Sequence, residues 1–290
     1  MDSRVKLGIY EKAMPGAMSM EGKLRTAKEF GFDFMEMSID ETPQKLARLD
    51  MSKAERTELI RLMRETDLPV RTICLSGHRK FPLGSADPDI RAKSAVIMRD
   101  AIGLAYDLGV RVIQIAGYDV YYEESTEATR ACFLEGLRRS VEIAAEYGVV
   151  LAFETMETPF MNNVKKAMIY VREIASPYLQ VYPDVGNCTN AAADYREDVV
   201  LDLMSGKGHI AAMHLKETAP GKYREVEFGN GHVDFERVIR AALAMGVRLF
   251  VTEFWENVEI EYREHIRYSK KFIDEKFTKA KQAFTVPADG

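Results

Sequence analysis

Tyr147-Gly148-Val149-Val150-Leu151-Ala152-Phe153-Glu154 holds the logic of the whole chain in one short stretch. A helical segment stops at a glycine, an apolar strand follows, and the strand ends on an acid. Glycine just past the last helical turn takes the left-handed conformation at little cost, so the phrase reads as a helix stop feeding a strand. It recurs at Phe30-Gly31-Phe32, Leu108-Gly109-Val110 and Met245-Gly246-Val247. Working outward, the strand candidates are Lys6 to Tyr10, Phe34 to Ser38, Val70 to Leu75, Val112 to Ala116, Val150 to Glu154, Leu179 to Asp184, Ile210 to Leu215 and Leu249 to Glu253. Helical patterns lie near Met20 to Phe30, Ser52 to Thr66, Asp87 to Leu108, Thr126 to Tyr147, Asn163 to Ile174, Tyr195 to Met204, Phe235 to Met245 and Glu259 to Phe277. Strands alternating with helices predict a parallel sheet, and eight such units predict an α/β protein built as one closed (β/α)8 barrel.

The 290 residues are read as a single domain, 1–290, with a frayed tail over about 280–290. The longest irregular stretches follow strands: Ser76 to Ala86, Gly117 to Ser125, Glu157 to Met161, Gly186 to Ala193 and Lys216 to Val233. All of these loops emerge at the carboxyl face of such a barrel, where active sites sit.

A hydrophobic fraction of 47%, a charged fraction of 29% and a net charge of -5 describe a soluble globular protein with no basic footprint for nucleic acid. No apolar run is long enough to span a bilayer, and Met1 to Lys6 has no apolar signal core, so a cytoplasmic protein without membrane partners is expected. Cys74, Cys132 and Cys188 are odd in number and unpaired in spacing, which argues for free thiols.

Four polar residues end four successive strands. Glu154 follows Val149 to Phe153, Asp184 follows Leu179 to Pro183, His214 follows Ile210 to Met213, and Glu253 follows Leu249 to Thr252. Their separations of 30, 30 and 39 residues each match one β/α unit, which puts all four in one layer of the rim. A lone strand-end acid is more often a helix cap or an ion-pair partner. Together, two glutamates, an aspartate and a histidine suit one divalent ion, Mn, Zn or Mg, with positions left for two substrate oxygens. A ketose offers such a pair, its carbonyl and a neighbouring hydroxyl; binding both would polarise the carbonyl and stabilise an enediolate. Glu154 and Glu253 would then be the acid and base, one removing a proton and the other returning it on the opposite face. On spacing alone, four separate structural residues remain an alternative.

Other rim residues carry weaker signals. His78 and Arg79, with Lys80, form a locally basic loop, and Lys216 is a third cationic candidate for a phosphate. Gly229-Asn230-Gly231-His232 offers small residues whose amides could approach an anion. No glycine-rich turn has the spacing of a nucleotide fingerprint.

Beyond these single residues, long stretches resemble the L-ribulose-5-phosphate and L-xylulose-5-phosphate 3-epimerases, of the xylose-isomerase-like TIM barrel superfamily. The resemblance covers nearly the whole chain. It is carried by Leu7-Gly8-Ile9-Tyr10-Glu11-Lys12-Ala13, by Met37-Ser38-Ile39-Asp40-Glu41, by Cys74-Leu75-Ser76-Gly77-His78-Arg79-Lys80-Phe81-Pro82-Leu83-Gly84-Ser85 and by Ile113-Gln114-Ile115-Ala116-Gly117-Tyr118-Asp119-Val120-Tyr121-Tyr122. Tyr182-Pro183-Asp184-Val185-Gly186-Asn187, Met213-His214-Leu215-Lys216-Glu217-Thr218 and Phe228-Gly229-Asn230-Gly231-His232-Val233-Asp234-Phe235 extend it. The resemblance implies a metal at Glu154, Asp184, His214 and Glu253, a ketopentose phosphate as small-molecule partner, and a place in L-ascorbate and pentose catabolism. Glu11, Gln114, Tyr118 and Asn187 are expected at the rim as hydroxyl contacts, and a homodimer is expected from how such barrels associate. Ser76-Gly77-His78 and Asn230 depart from the family pattern, which leaves the accepted sugar open.

Three competing readings stand beside this one. An epimerase or isomerase of an unphosphorylated ketose or a hexulose phosphate would share the metal chemistry; for the unphosphorylated ketose, with no phosphate to hold, Arg79 and Lys216 would be dispensable. A DNA-repair endonuclease of the same superfamily is disfavoured by five histidines and the acidic balance. A non-catalytic sugar-binding barrel has no need for two proton-moving glutamates, and fold alone does not decide among these.

Overall fold

The computed structural model describes residues 5–285. Eight parallel strands, β1 (Lys6–Tyr10), β2 (Phe34–Ile39), β3 (Val70–Leu75), β4 (Val112–Ala116), β5 (Val150–Glu154), β6 (Leu179–Tyr182), β7 (Met213–Leu215) and β8 (Leu249–Thr252), run in the order β6-β5-β4-β3-β2-β1-β8-β7. β6 and β7 meet across the remaining seam through isolated parallel bridges, Val181 to Ile210 and Asp184 to His214, so the barrel is nearly closed. Around it lie α1 (Met20–Glu29), α2 (Pro43–Leu46), α3 (Lys53–Glu65), α4 (Pro88–Leu108), α5 (Glu127–Tyr147), α6 (Val164–Ile174), α7 (Val185–Tyr195), α8 (Val199–Met204), α9 (Phe235–Ala244) and α10 (Tyr262–Thr285). Among the described residues, no helix is long and apolar enough to cross a membrane. The three cysteines are free.

Side chains alternate along a strand, and the alternation explains where the polar layer falls. Met35, Met37, Ile113, Leu151, Phe153, Val181 and Phe250 face the helices and join the main core. Phe34, Val112, Ala152, Tyr182, Ala212 and Val251 pack instead with Tyr10 and Cys74 in a separate buried cluster, the barrel interior. Two residues beyond Ala152, Tyr182, Ala212 and Val251 come Glu154, Asp184, His214 and Glu253. The pleat thus delivers all four polar residues to the layer above an apolar plug.

Local structure departs from the sequence reading at several points: β7 begins at Met213 rather than Ile210, α8 begins at Val199 rather than Tyr195, and three further differences have clear causes or bounds. Gly186 to Ala193, expected as a loop, lies within α7. Its glycine and asparagines are poor helix formers, but the helix is buried and Asp184 caps it, its side chain accepting from the Asn187 amide at 2.9 Å. Gly186 is required there by space: a Cβ would come within 2.6 Å of Thr218 Cγ2 and 2.8 Å of the Lys216 carbonyl oxygen. β6 stops at Tyr182, because Pro183 has no N–H to offer the ladder. α10 continues past Lys279 to Thr285, and the rest of the expected tail lies outside the described residues.

The plug itself depends on one close approach. A Cβ on Gly8 would fall 2.4 Å from the Phe34 ring, so the ring occupies space that only glycine leaves open. Phe34 is fully buried, and Phe34→Ala is expected to cost about 3 to 5 kcal/mol of stability, measured by urea unfolding. A cost under about 1 kcal/mol would mean that the barrel interior does not depend on this ring.

Candidate metal centre

Glu154 ends β5, Asp184 caps α7, His214 sits within β7, and Glu253 follows β8. Each offers a ligand atom, all within 4.8 Å of one another, and all four residues are buried. His214 Nδ1 lies 3.1 Å from Glu154 Oε1 and 3.1 Å from Glu253 Oε2. Asp184 Oδ2 lies 2.5 Å from Lys216 Nζ. Neither that oxygen nor Glu253 Oε2 accepts a hydrogen bond of good geometry. Three carboxylates and an imidazole nitrogen, converging with acceptors left over, are a donor set that fits a divalent cation.

The electrostatics show the same tension. Burial raises the pKa of Glu154, and the Glu253 charge raises it further. Burial also raises Asp184, against the pull of the Lys216 ammonium. Glu253 is desolvated too, yet the His214 and Lys216 charges outweigh burial and hold its carboxyl well below the ordinary range. Three acids crowded together and buried cannot all ionise freely unless positive charge joins them.

Further polar residues brace this group. Gln114 Nε2 donates to Glu154 Oε2. Asn187 Nδ2 donates to the Thr155 carbonyl at 2.8 Å, and Asn187 Oδ1 accepts from Lys216 Nζ at 2.8 Å. A cleft opens above, lined by Lys12, Arg79, Glu157, Asn187, Lys216, Arg224 and Trp255 together with Glu154 and Glu253. Arg79 reaches it with its guanidinium 4.9 Å from the Tyr121 ring centre, its Nε without a partner, and a long 3.4 Å contact to the hydroxyl of the buried Tyr118.

Four expected contacts do not line the cleft: Gln114 and Tyr118 lie behind Glu154 and Arg79, and Glu11 and His78 sit elsewhere. Glu11 does not line the cleft; its buried carboxylate is enclosed by Lys23 Nζ at 3.3 Å, Lys45 Nζ at 2.9 Å, the Arg48 guanidinium and the Ser38 amide at 2.7 Å. Burial opposes its charge, but Arg48 and the two lysines hold its pKa down to about 2. Its role is to tie β1 to β2, α1 and the short helical segment at Ala47–Asp50. His78 is also buried, with Nε2 3.2 Å from the Ser94 carbonyl oxygen of α4, outside the cleft lining. Burial lowers its pKa to about 4, which leaves a neutral ring unsuited to holding phosphate.

Sequence reasoning passed over Glu36, whose Oε1 lies 2.6 Å from His214 Nε2. Its one signal was an acid in the apolar run Phe34-Met35-Glu36-Met37, in step with the inward-facing Phe34. Arg224 and Trp255, at the cleft mouth, carry no pattern that marks them.

These observations define a (β/α)8 barrel whose rim carries a buried group able to bind a metal ion. The chain belongs to the xylose isomerase-like TIM barrel family, whose model matches residues 24–273. It is 42% identical over 281 residues to the L-ribulose-5-phosphate 3-epimerase UlaE of Escherichia coli (strain SE11), covering 97% of this chain and 98% of that protein. The protein of the same name from Salmonella paratyphi A matches at the same identity and coverage. By these relatives the chain is an isomerase of the epimerase type. Among solved structures, an L-ribulose 3-epimerase aligns with TM-score 0.77 at 17% identity, over 99% of this chain and 100% of that one. A D-tagatose 3-epimerase-like protein aligns with TM-score 0.79 at 16% identity, over 97% and 100% of the two chains. At such identities these two show the fold alone.

The displaced histidine has a measurable consequence. His78 has a folded pKa of about 4 against an ordinary 6.5, so the unfolded chain takes up the proton first as pH falls. Its contribution to stability is complete above about pH 6.5 and is lost as pH falls toward 4, by about 2 kcal/mol between pH 7 and 5. Urea unfolding of His78→Gln beside the wild type should show that the variant lacks this part of the acid response. Equal pH slopes for the two proteins would assign the response to other groups.

Proposed function

We propose that this chain interconverts L-ribulose 5-phosphate and L-xylulose 5-phosphate by inverting carbon 3. The observation that carries the reading is the pair Glu154 and Glu253, which reach the same imidazole nitrogen at 3.1 Å each from β5 and from the end of β8. Whole-chain similarity to proteins named L-ribulose-5-phosphate 3-epimerase supports the choice of sugar.

A ketopentose seated in the cleft has one of these carboxylates toward each face of carbon 3. One glutamate removes the proton, and the electron pair left behind moves onto the neighbouring carbonyl oxygen. The other glutamate delivers a proton from the opposite side as the pair returns, which inverts the centre. A divalent ion held by Glu154, Asp184, His214 and Glu253 supplies Lewis-acid stabilisation of the charge on that oxygen. Lys216 and Asn187, already locked to each other, orient the sugar hydroxyls. Arg79, whose Nε is unpartnered, meets the phosphate at the mouth together with Lys12 and Arg224.

The test is NMR of the purified protein with L-ribulose 5-phosphate in deuterium oxide. L-xylulose 5-phosphate deuterated at carbon 3 is the expected product; a chelator abolishes its formation, and a divalent ion restores it. Glu154→Gln and Glu253→Gln should each lower kcat by roughly 10² to 10⁴-fold. Arg79→Ala should raise KM for the phosphorylated sugar and leave any turnover of free L-ribulose unchanged. A metal-loaded enzyme that exchanges only the unphosphorylated ketose would replace this substrate assignment.

A further inference from the structure

Glu36 lies in the barrel interior on the Nε2 side of His214, and it is fully buried. Its Oε2 accepts from Thr72 Oγ1 and from the Tyr182 hydroxyl, each at 2.8 Å. Its Oε1 is then left facing His214 Nε2 at 2.6 Å. A carboxylate oxygen with a nitrogen at that distance needs a proton between them, and the imidazole N–H supplies it. The proton on Nε2 leaves Nδ1 with its lone pair, aimed at the space between Glu154 and Glu253.

The other tautomer would be self-defeating. A proton on Nδ1 would be donated to one of the two glutamates at 3.1 Å, filling the position a cation should hold. Without a partner below, nothing favours the useful form, because the carboxylates above invite an N–H toward themselves. We infer that Glu36 is a positioning residue that fixes the His214 tautomer and ring orientation, so that Nδ1 is presented as a ligand.

The backbone is arranged for this contact. β2 and β3 pair Met35 with Val70 but Glu36 with Thr72, so Arg71 is an extra residue in β3. Such a bulge re-aims the side chains beyond it. With uninterrupted pairing, Arg71 would stand opposite Glu36; the bulge leaves Arg71 exposed and brings the Thr72 hydroxyl to the carboxylate. Tyr182 completes the cradle from β6, its ring edge-on to His214 with centres 4.8 Å apart. Three strands besides β7 therefore serve the orientation of one imidazole.

The inference rests on the metal-centre reading but not on the identity of the sugar. Its test uses the metal-stripped full-length chain, with Mn²⁺ titration calorimetry and ¹⁵N NMR of labelled histidine. In the wild type loaded with diamagnetic Zn²⁺, the His214 signal, assigned by its absence from His214→Asn, should show a protonated Nε2 and a metal-bound Nδ1. Glu36→Gln keeps the size of the side chain but offers one acceptor oxygen where the carboxylate has two. It cannot serve His214 and both hydroxyls at once, so it should shift the tautomer signal and weaken Mn²⁺ binding by roughly 10 to 100-fold. Tyr182→Phe leaves both oxygens in place and should lose only a few-fold. A Glu36→Gln protein that binds Mn²⁺ within about twofold of wild type, or a Zn²⁺-loaded wild type that ligates through Nε2, overturns the inference alone. A wild type that binds no ion overturns the metal-centre reading and this inference together.

Discussion

The mouth of the barrel holds three carboxylates and an imidazole, all buried, and that concentration of acceptors governs the structure around it. Left alone, buried like charges raise one another's pKa and push side chains apart. Here three of the four are held by a partner that is itself buried. Lys216 lies against Asp184, Gln114 donates to Glu154, and Glu36 sits beneath His214. The polar layer has therefore been assembled as a unit, because removing any one partner leaves a charge or a lone pair exposed to its own kind.

Beneath it the architecture is ordinary barrel packing, and the contrast is informative. The layer of Ala152, Tyr182, Ala212 and Val251 keeps water away from the ligands from below. Only the upper side opens, into a cleft whose cations, Lys12, Arg79 and Arg224, ring an anionic centre. A substrate with one negatively charged end and one neutral, oxygen-rich end matches that polarity.

Much of this was legible in the sequence, for a definite reason. Strand periodicity and the glycine helix stops are local signals, and a fixed β/α repeat turns them into a global layer, so spacing along the chain is enough to group Glu154, Asp184, His214 and Glu253. Non-local facts were not legible. Glu11 and His78 stand in rim segments, yet their partners, Lys23, Lys45 and Arg48 for one and Ser94 for the other, come from helices whose approach sequence spacing does not report. Glu36 was missed because its partners lie on β3, β6 and β7, and the bulge that admits Thr72 leaves no mark in the hydrophobic pattern. The helix over Val185–Tyr195 was missed because a capped, buried helix overrides the low propensity of Gly186, Asn187 and Asn190.

Asp184 carries two obligations at once, and they narrow what evolution can write at its position. As the cap of α7 it must present a short side-chain acceptor to the Asn187 amide, a task open to serine, threonine or asparagine. As a member of the group able to hold a cation it must bring a negative oxygen. Glutamate answers the second demand but reaches too far for the first; the neutral caps answer the first and forfeit the charge. Drift at this site toward another ligand type is thus opposed by the helix it starts.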